Sequence, residues 1–409
     1  MAEYYRNDYG SSERRRPRRS ALGTVVDGVM AVVTLAVAAV FALTLLVPVV
    51  DPHESGEFST VGLVAPFVYA GQLLLTLYWI IRWRWAAMAP MIVLSVIGLF
   101  HLSLFYKVEI RRSYGEQTYE RTALKVLTYN VRSFIDDDGV RCLDSVVSLV
   151  KALNPDIVCF QEMGFADLAD SLLRPLNHLP RSLSRAALSP AVYSRYPIVR
   201  AHRVDTMKNF VWADLKVGDD TVRVFNNHLH TTAIRRDDNT YIENREFLGD
   251  EDMGKLRSMV TRLSENNKQR AAQADSVARM IAESPYPVIV CGDFNDTPVS
   301  YTYRTVSRGL KDAFREAGRG YSHTYRGFFD MLRIDYVLCS DEFEPLSYEV
   351  IDSWGLADIK RGKDTVTVRK FGNGMEPPTN AAGAEIDNGV RYSDHYPVFV
   401  RLRYNGRND

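Results

Sequence analysis

Apolar residues are laid out along this chain in two regimes. Up to about residue 106 they form three long runs, VMAVVTLAVAAVFALTLLVPVV (29–50), VGLVAPFVYAGQLLLTLYWII (61–81) and AAMAPMIVLSVIGLFHLSLFY (86–106), none containing Asp, Glu, Lys or Arg. Each reaches the ~20 residues that carry a helix across a hydrocarbon core, so three membrane helices are predicted. An arginine-rich arm precedes the first run, yet that run exceeds the ~7–15 residues of a signal-peptide core and two more spans follow it.

Beyond residue 122 the apolar runs shorten and alternate with polar stretches. ALKVLTYNV (123–131) reads as a strand, Leu143, Val146, Val147, Val150 and Leu153 recur at helical spacing until Asn154–Pro155, and DIVCFQE (156–162) returns as a buried strand. AVYSRYPIV (191–199), NFVWADLKV (209–217) and TVRVFNNHLH (221–230) continue as a meander of strands. Ala274, Val277, Ala278 and Ile281 mark an amphipathic helix ended by Pro285, which leads into VIVCGDFND (288–296); RIDYVLCS (333–340) and SDHYPVFVRL (393–402) supply the last strands. The charged stretch 235–268 and the Gly-, Pro- and Asn-rich stretch 355–389 read as irregular, the second as disordered, a plain insertion or a loop that shapes substrate access.

Composition changes this picture in three ways. The 50 basic and 50 acidic residues divide as 8 and 7 before residue 107 and 42 and 43 after it, so the polar part is near neutral and lacks the basic excess of a dedicated nucleic-acid binder. Cys142, Cys159, Cys291 and Cys339 show no zinc spacing, and three of them lie within or at the ends of apolar strands, which suits small buried core residues, with a disulfide as the alternative if the domain is exported. The arm SSERRRPRRS is basic, the first loop DPHESGE has no Arg or Lys, and the second loop carries Arg82 and Arg84. By the positive-inside rule the spans run in, out, in, out, which places the polar domain on the non-cytoplasmic side of a plasma or inner membrane, with Lys107, Arg111 and Arg112 as contrary signals. Asp27 and His101 are expected at the membrane interfaces, with the spans serving as an anchor.

Candidate chemistry gathers where apolar strands end. Asn130, Glu162, His228, Asp293, Asn295 and Asp335 follow or close such strands, and Asp394 and His395 precede one, so a two-sheet core would bring all eight to one rim. Singly, a GDFN or an SDH is as well explained as a turn or a cap. Together they make a set rich in carboxylates and amides, hard oxygen donors that suit Mg2+ or Mn2+ rather than zinc. His230 is a weaker candidate for substrate contact, and IDDDG (135–139) reads as a solvated acidic loop.

The stretches LTYNV, FQE, YSRYPI, NNHL, GDFND, RIDYV and SDHYPV, in this order across residues 123–402, resemble the endonuclease/exonuclease/phosphatase superfamily of DNase I-like enzymes. The resemblance implies an α+β fold, a four-layer α/β/β/α sandwich of two packed mixed sheets, here preceded by three transmembrane helices. It implies a metal-dependent phosphoric ester hydrolase in which Glu162 is the principal metal ligand with Asn130 beside it, and Asp394 a further candidate ligand. Asp293 would activate water, Asn295 would hold the phosphate or Asp293, and His395, bonded to Asp335, would stabilise or protonate the phosphoryl oxygens. His228 would contact a non-bridging oxygen. Asn227 stands where the family's NTHL pattern has Thr, a change at a supporting position. The expected domains are a basic arm (1–28), a three-helix anchor (29–106), a linker (107–122) and a catalytic domain (123–402).

The expected activity is hydrolysis of a phosphodiester or phosphomonoester, with a lipid headgroup or small molecule favoured over nucleic acid by the near-neutral charge and the bilayer beside the site. An exported nuclease acting on DNA or RNA is the alternative within the same chemistry. A catalytically inactive binding domain of the same fold is the alternative outside it, and it predicts loss of an essential group, whereas all eight are present.

Overall fold

The computed structural model describes residues 21–108, 123–164, 190–203, 209–232, 236–244, 253–361, 364–372, 374–380 and 382–406; the expectations for the basic arm before residue 21 and for Arg111 and Arg112 lie outside these residues. Helix α1 (Ala21–Leu46), the helical stretch Gly56–Ile81 that ends in α2 (Ala65–Ile81), and α3 (Trp85–Leu102) are long and apolar enough to cross a membrane. Polar side chains tie them together, with Trp79 donating to Thr34 (2.8 Å) and Thr76 sharing a hydrogen bond with Ser95 (2.9 Å). At one end of the bundle Asp27 is buried and paired, its Oδ1 accepting from Arg82 (2.7 Å) and Tyr78 (2.9 Å) and its Oδ2 from Arg84 (2.6 and 3.0 Å).

The strands after the bundle follow in chain order. They begin with β1 (Tyr106–Lys107), β2 (Ala123–Asn130), β3 (Ile157–Gln161), β4 (Ala191–Ser194), β5 (Ile198–Arg203), β6 (Phe210–Val217) and β7 (Asp220–His228). They continue with β8 (Val288–Asp293), β9 (Lys311–Asp312), β10 (Gly320–Tyr321), β11 (Asp335–Cys339), β12 (Phe343–Val350), β13 (Ser353–Arg361), β14 (Asp364–Gly372) and β15 (Val398–Tyr404). Two mixed sheets form, one ordered β12-β15-β2-β3-β4 and the other β5-β6-β7-β8-β11-β9. Each contains a single parallel pair, β2 with β3 and β7 with β8, and is otherwise antiparallel.

Period-two alternation sorts the strand residues into layers. Leu124, Val126, Ile157, Cys159, Val222, Val224, Ile289, Cys291, Val337, Cys339, Val398 and Val400 face inward and fill the space between the sheets. The opposite faces are covered by helices. Leu127, Tyr129, Val158 and Phe160 pack against α4 (Leu143–Leu153), and Phe225, Val288, Val290 and Leu338 pack against Ala274 and Val277. The result is the expected four-layer sandwich. All four cysteines are buried and unpaired.

Two expectations are corrected. The stretch 235–268 is not irregular: it holds α5 (Arg236–Glu243) and the first half of α6 (Met253–Ala282). Its helical signal is masked because the buried face alternates apolar Met259 and Leu263 with buried Ser264, Asn267 and Arg270, so hydrophobicity alone understates the period. The stretch 355–389 contains most of a long hairpin, β13 paired with β14 from Ser353↔Gly372 to Arg361↔Asp364, in which the Thr-Val alternation of 365–368 supplies the strand pattern.

The three apolar helices and the sandwich are in direct contact. Gly56 lies so near α6 that a Cβ there would stand 2.5 Å from the Ser264 carbonyl oxygen, and Asn267 donates to the Gly56 carbonyl (3.1 Å). Thr297 donates to Gly62 O (3.2 Å), Arg304 to Pro48 O (3.2 Å) and Arg333 to Leu104 O (3.0 Å), while β1 pairs with β10. All these contacts fall on the bundle end opposite Asp27, Arg82 and Arg84.

Candidate active site

The inward-facing rows of four strands run out into polar residues at one edge of the sandwich. Asn130 continues the row of Leu124 and Val126, His228 that of Val222 and Val224, Asp293 that of Ile289 and Cys291, and Asp335 that of Val337 and Cys339. Register aligns them, since Asp293 is the partner of His228 on one side and of Asp335 on the other. Glu162 follows β3, and His395 precedes β15, the neighbour of β2. Strands of both sheets thus deliver one cluster.

Within it, Asn130 Nδ2 donates to both Glu162 Oε1 and Asp293 Oδ2, each at 3.1 Å. Asn295 clamps Asp293 twice, through its N–H to Oδ1 (2.7 Å) and its Nδ2 to Oδ2 (3.0 Å). His395 Nδ1 lies 2.9 Å from Asp335 Oδ2, and its Nε2 faces Asp293 Oδ2 at 3.8 Å. His228 Nε2 stands 3.2 Å from Glu162 Oε1 and 3.8 Å from Asp293 Oδ2. Asp394 points elsewhere: its Oδ1 accepts from Ser393 (3.3 Å) and its Oδ2 lies 3.7 Å from Arg132 Nε. Asp137 of the acidic loop bridges Arg132 (2.8 Å) and Arg326 (2.9 Å), so this loop is ion-paired rather than simply solvated. His230 is turned to α6, with its Nε2 3.1 Å from Asn266 Oδ1.

Burial and charge shift these groups in opposite senses. Loss of water pushes Asp293 up to about 6, with the His395 imidazole opposing and Asp335 reinforcing the shift. Burial opposes the protonation of His395 and His228, yet Asp335 and Asp293 hold the first well above the ordinary imidazole range, and Glu162 and Asp293 raise the second. Glu162 feels desolvation too, but the facing His228 and the Asn130 amide bring its carboxyl down to about 2.

The backbone is strained where it turns into the site. Glu162 (φ 51°) and Asn295 (φ 52°) occupy the left-handed region, which costs a non-glycine residue on the order of 1–3 kcal/mol. Surrounding bonds hold them there, including Ser133 N–H to Glu162 O (2.6 Å) and a short contact from the fully buried Arg270 guanidinium to Asn295 O. Gly292 has φ 129°, and a Cβ on it would fall 1.9 Å from Asn227 O, so only glycine lets β8 lie this close to β7.

Several supporting residues escape a sequence reading. Gln161 Nε2 donates to Asn226 Oδ1 (2.7 Å) and Thr128 Oγ1 (3.1 Å), and Asn226 reaches the Phe160 and Ala191 carbonyls, a fully buried network joining the sheets under the site. Ser393 Oγ donates to Asn130 O (2.7 Å), and Thr324 Oγ1 accepts from the Asp335 N–H (3.0 Å). Only the polar residues inside FQE and FNNHL hint at the first group. Nothing local signals Arg270, which lies on the helix half misread as irregular.

The donor set fits a hard divalent cation. Asp293, Asp335 and His395 each offer a ligand atom within 4.8 Å of the others, and the buried Asp335 Oδ1 has no hydrogen-bond partner. Glu162, held anionic, adds a carboxylate whose Oε1 lies 3.1 Å from Asn130 Nδ2, while Asn130 Oδ1 accepts from the Arg132 N–H (3.1 Å).

With this geometry established, comparison with known proteins places the chain among relatives. The model of the Endonuclease/Exonuclease/phosphatase family matches residues 127–395, and one described as a domain of unknown function matches residues 27–105. No curated protein matches. Similar solved structures include an endonuclease/exonuclease/phosphatase from Bacteroides vulgatus (18% identity, 69% of this chain and 100% of that one, TM-score 0.44). A mannosyl-6-phosphatase from Bacteroides thetaiotaomicron is also similar (17%, 68% and 99%, 0.42), as is sphingomyelinase C from Streptomyces griseocarneus (17%, 68% and 99%, 0.43).

Proposed function

This chain belongs to the endonuclease/exonuclease/phosphatase family, and from that premise we propose that it is a membrane-anchored, divalent-metal-dependent phosphoesterase that hydrolyses its substrate by in-line attack of water. The observation that carries the reading is the joint register of Asp293 with His228 and Asp335 at the rim where Asn130, Glu162 and His395 also converge. Residues 1–28 are assigned to the arm, 29–106 to the anchor, 107–122 to the linker and 123–402 to the catalytic domain, although helix α1 already begins at Ala21 within the arm. The domain docks on the bundle end opposite Arg82 and Arg84, so the positive-inside rule puts it on the non-cytoplasmic side.

Each residue has a task suited to its surroundings. Glu162 and Asn130 would hold the cation, Mg2+ or Mn2+, which would supply Lewis-acid stabilisation of the phosphoryl oxygens. Asp394 is the remaining candidate ligand, available if its contact with Arg132 is exchanged for the ion. Asp293, fixed by the two bonds from Asn295, takes a proton from water as the water oxygen forms its bond to phosphorus. Asp335 keeps the proton of His395 on Nδ1 and stabilises the imidazolium, leaving Nε2 to protonate the departing oxygen. His228 faces the non-bridging oxygens. Stabilisation of spread negative charge supplies most of the acceleration in phosphoryl transfer, a task for His228, His395 and the cation that the rim's carboxylates would hold.

The test is hydrolysis of bis-p-nitrophenyl phosphate and p-nitrophenyl phosphate by the full chain in detergent micelles, with Mg2+ or with EDTA. Turnover should require the metal, and Asp293→Ala or His395→Ala should lower kcat by about 10²–10⁴, the range of general acid–base contributions. Metal-independent turnover, or none on any phosphoester, would reject the reading.

A further inference from the structure

An apolar cluster runs from the membrane bundle to the catalytic rim. Leu63 and Phe67 of the bundle, Met259 and Leu263 of α6, and Phe328, Leu332 and Ile334 share it, with Tyr325 packed against it. Phe67 meets Phe328 and Phe329 edge to face, with ring centroids 5.8 and 5.7 Å apart, and Tyr325 sets its ring 5.2 Å from that of His395. On the other side of the site only a few residues separate Asn295, which clamps Asp293, from Thr297, bonded to Gly62 O, and Val299, buried against Ala65 and Phe105. The catalytic rim is therefore fixed to the bundle through two independent contacts.

The height of this junction follows from helix geometry. Counting outward from the polar belt at Arg82 with a rise of 1.5 Å per residue, Leu63 lies about 28 Å and Phe67 about 22 Å away. A hydrocarbon core of ~30 Å then ends near Leu63, and Phe67 sits inside its boundary. Phe329, in contact with Phe67, keeps 43% of its surface exposed. The turn that carries it is built against local preference: Phe328, Phe329 and Asp330 have φ of 57°, 60° and 56°. Asp330 pins its base, accepting from Tyr396 (3.2 Å) and lying 2.9 Å from His323 Nδ1. A strained turn with an apolar tip and a polar, anchored base is a feature that folding alone does not favour.

We propose that the Phe328–Asp330 turn is a membrane-seated lip of the active site and that the substrate is a phosphoester carried on a lipid, hydrolysed while its chains remain in the bilayer. The inference rests on the phosphoesterase function proposed above and deepens it. The near-neutral polar domain agrees, since no basic surface is needed when the bilayer itself presents the phosphate. A nucleic-acid duplex approaching the same rim would meet the bilayer.

Two measurements on the full chain in phosphatidylcholine vesicles test this. First, the four native cysteines are buried, so a nitroxide on Phe329→Cys reports depth by its relative accessibility to oxygen and to a water-soluble nickel complex. A position at the headgroup boundary is expected, and a fully water-exposed label would overturn the lip. Second, turnover of long-chain phosphatidic acid, sphingomyelin and phosphatidylcholine in the vesicles is compared with their short-chain soluble analogues, with a single-stranded DNA oligonucleotide and with bis-p-nitrophenyl phosphate. At least one long-chain lipid should exceed its soluble analogue by about tenfold or more, and Phe329→Ser should cut that ratio about tenfold while Phe329→Trp retains it. Equal turnover of long and short chains, or preferred cleavage of DNA, would overturn the lipid assignment while leaving the phosphoesterase reading standing. No turnover of any compound, bis-p-nitrophenyl phosphate included, would overturn both.

Discussion

Surrounded by His228, His395, Asp335 and Asn295, the Asp293 carboxylate has lost its water, which pushes its pKa up to about 6 against the pull of the imidazoles. A base must be ionised, so kcat/KM should fall as the pH drops through about 6, and a bound cation should move that limb lower. The Asp335–His395 pair makes a sharper demand. Asp335→Asn keeps the shape but loses the charge that orients and stabilises the imidazolium, and kcat should fall by about 10³–10⁴ with KM little changed, as steady-state kinetics can measure. Away from the chemistry, His323 has its pKa raised: burial opposes the charged form, but the 2.9 Å contact with Asp330 outweighs it. A raised folded-state value stabilises fully below the ordinary 6.5 and is lost as pH rises through the folded value. His323→Gln should therefore lower the melting temperature more at pH 5.5 than at pH 9.5.

At the scale of elements, β8 shows how a strand becomes a site. Its apolar residues lock it into the centre of the six-stranded sheet, Gly292 lets it lie against β7, and the chain then turns left-handed at Asn295 so that both Asn295 donors reach back to Asp293. Gly292→Ala would force a methyl group onto Asn227 O and should destabilise the chain by about 3 kcal/mol or more, seen as a lowered midpoint in a denaturant titration. The strands that end in Asn130, His228 and Asp293, and the one that begins at Asp335, are legible in the sequence because alternation and abrupt polarity at a strand end are local signals. Helix α6 and the β13–β14 hairpin are not. The buried face of α6 includes Ser264, Asn267 and Arg270, whose partners Gly56, Asn295 and Asp296 lie far away in sequence. The hairpin is edged by charged residues and interrupted by glycines at 355 and 372, so composition hides it.

For the whole molecule, the apolar helices are packed into the catalytic domain's own clusters. Val299, Leu332 and Ile334 are buried in clusters that the bundle completes with Leu63, Phe67, Ala65 and Phe105. Removing residues 1–106 uncovers apolar surface on the catalytic part, at about 2 kcal/mol for each side chain fully exposed. The fragment 107–409 should therefore melt lower than the full chain and self-associate, as thermal denaturation and light scattering would show, and restoring the bundle should reverse both.

Local pattern alone settles much of this protein: three apolar runs long enough to span a bilayer, a strand-rich domain after them, and the identity of eight polar residues at strand ends. These are consequences of chain-local physics, the cost of unpaired backbone in hydrocarbon and the alternation of a pleated strand. What the tertiary structure decided is everything that depends on partners distant in sequence. It turned Asp394 toward Arg132 and His230 toward Asn266, set Arg270 behind Asn295, and linked the sheets through Gln161 and Asn226. It also placed Phe67 of an apolar helix against Phe328 and Tyr325 against His395, which no periodicity encodes, because a docking surface is defined by the shapes of two folded parts rather than by either sequence read alone.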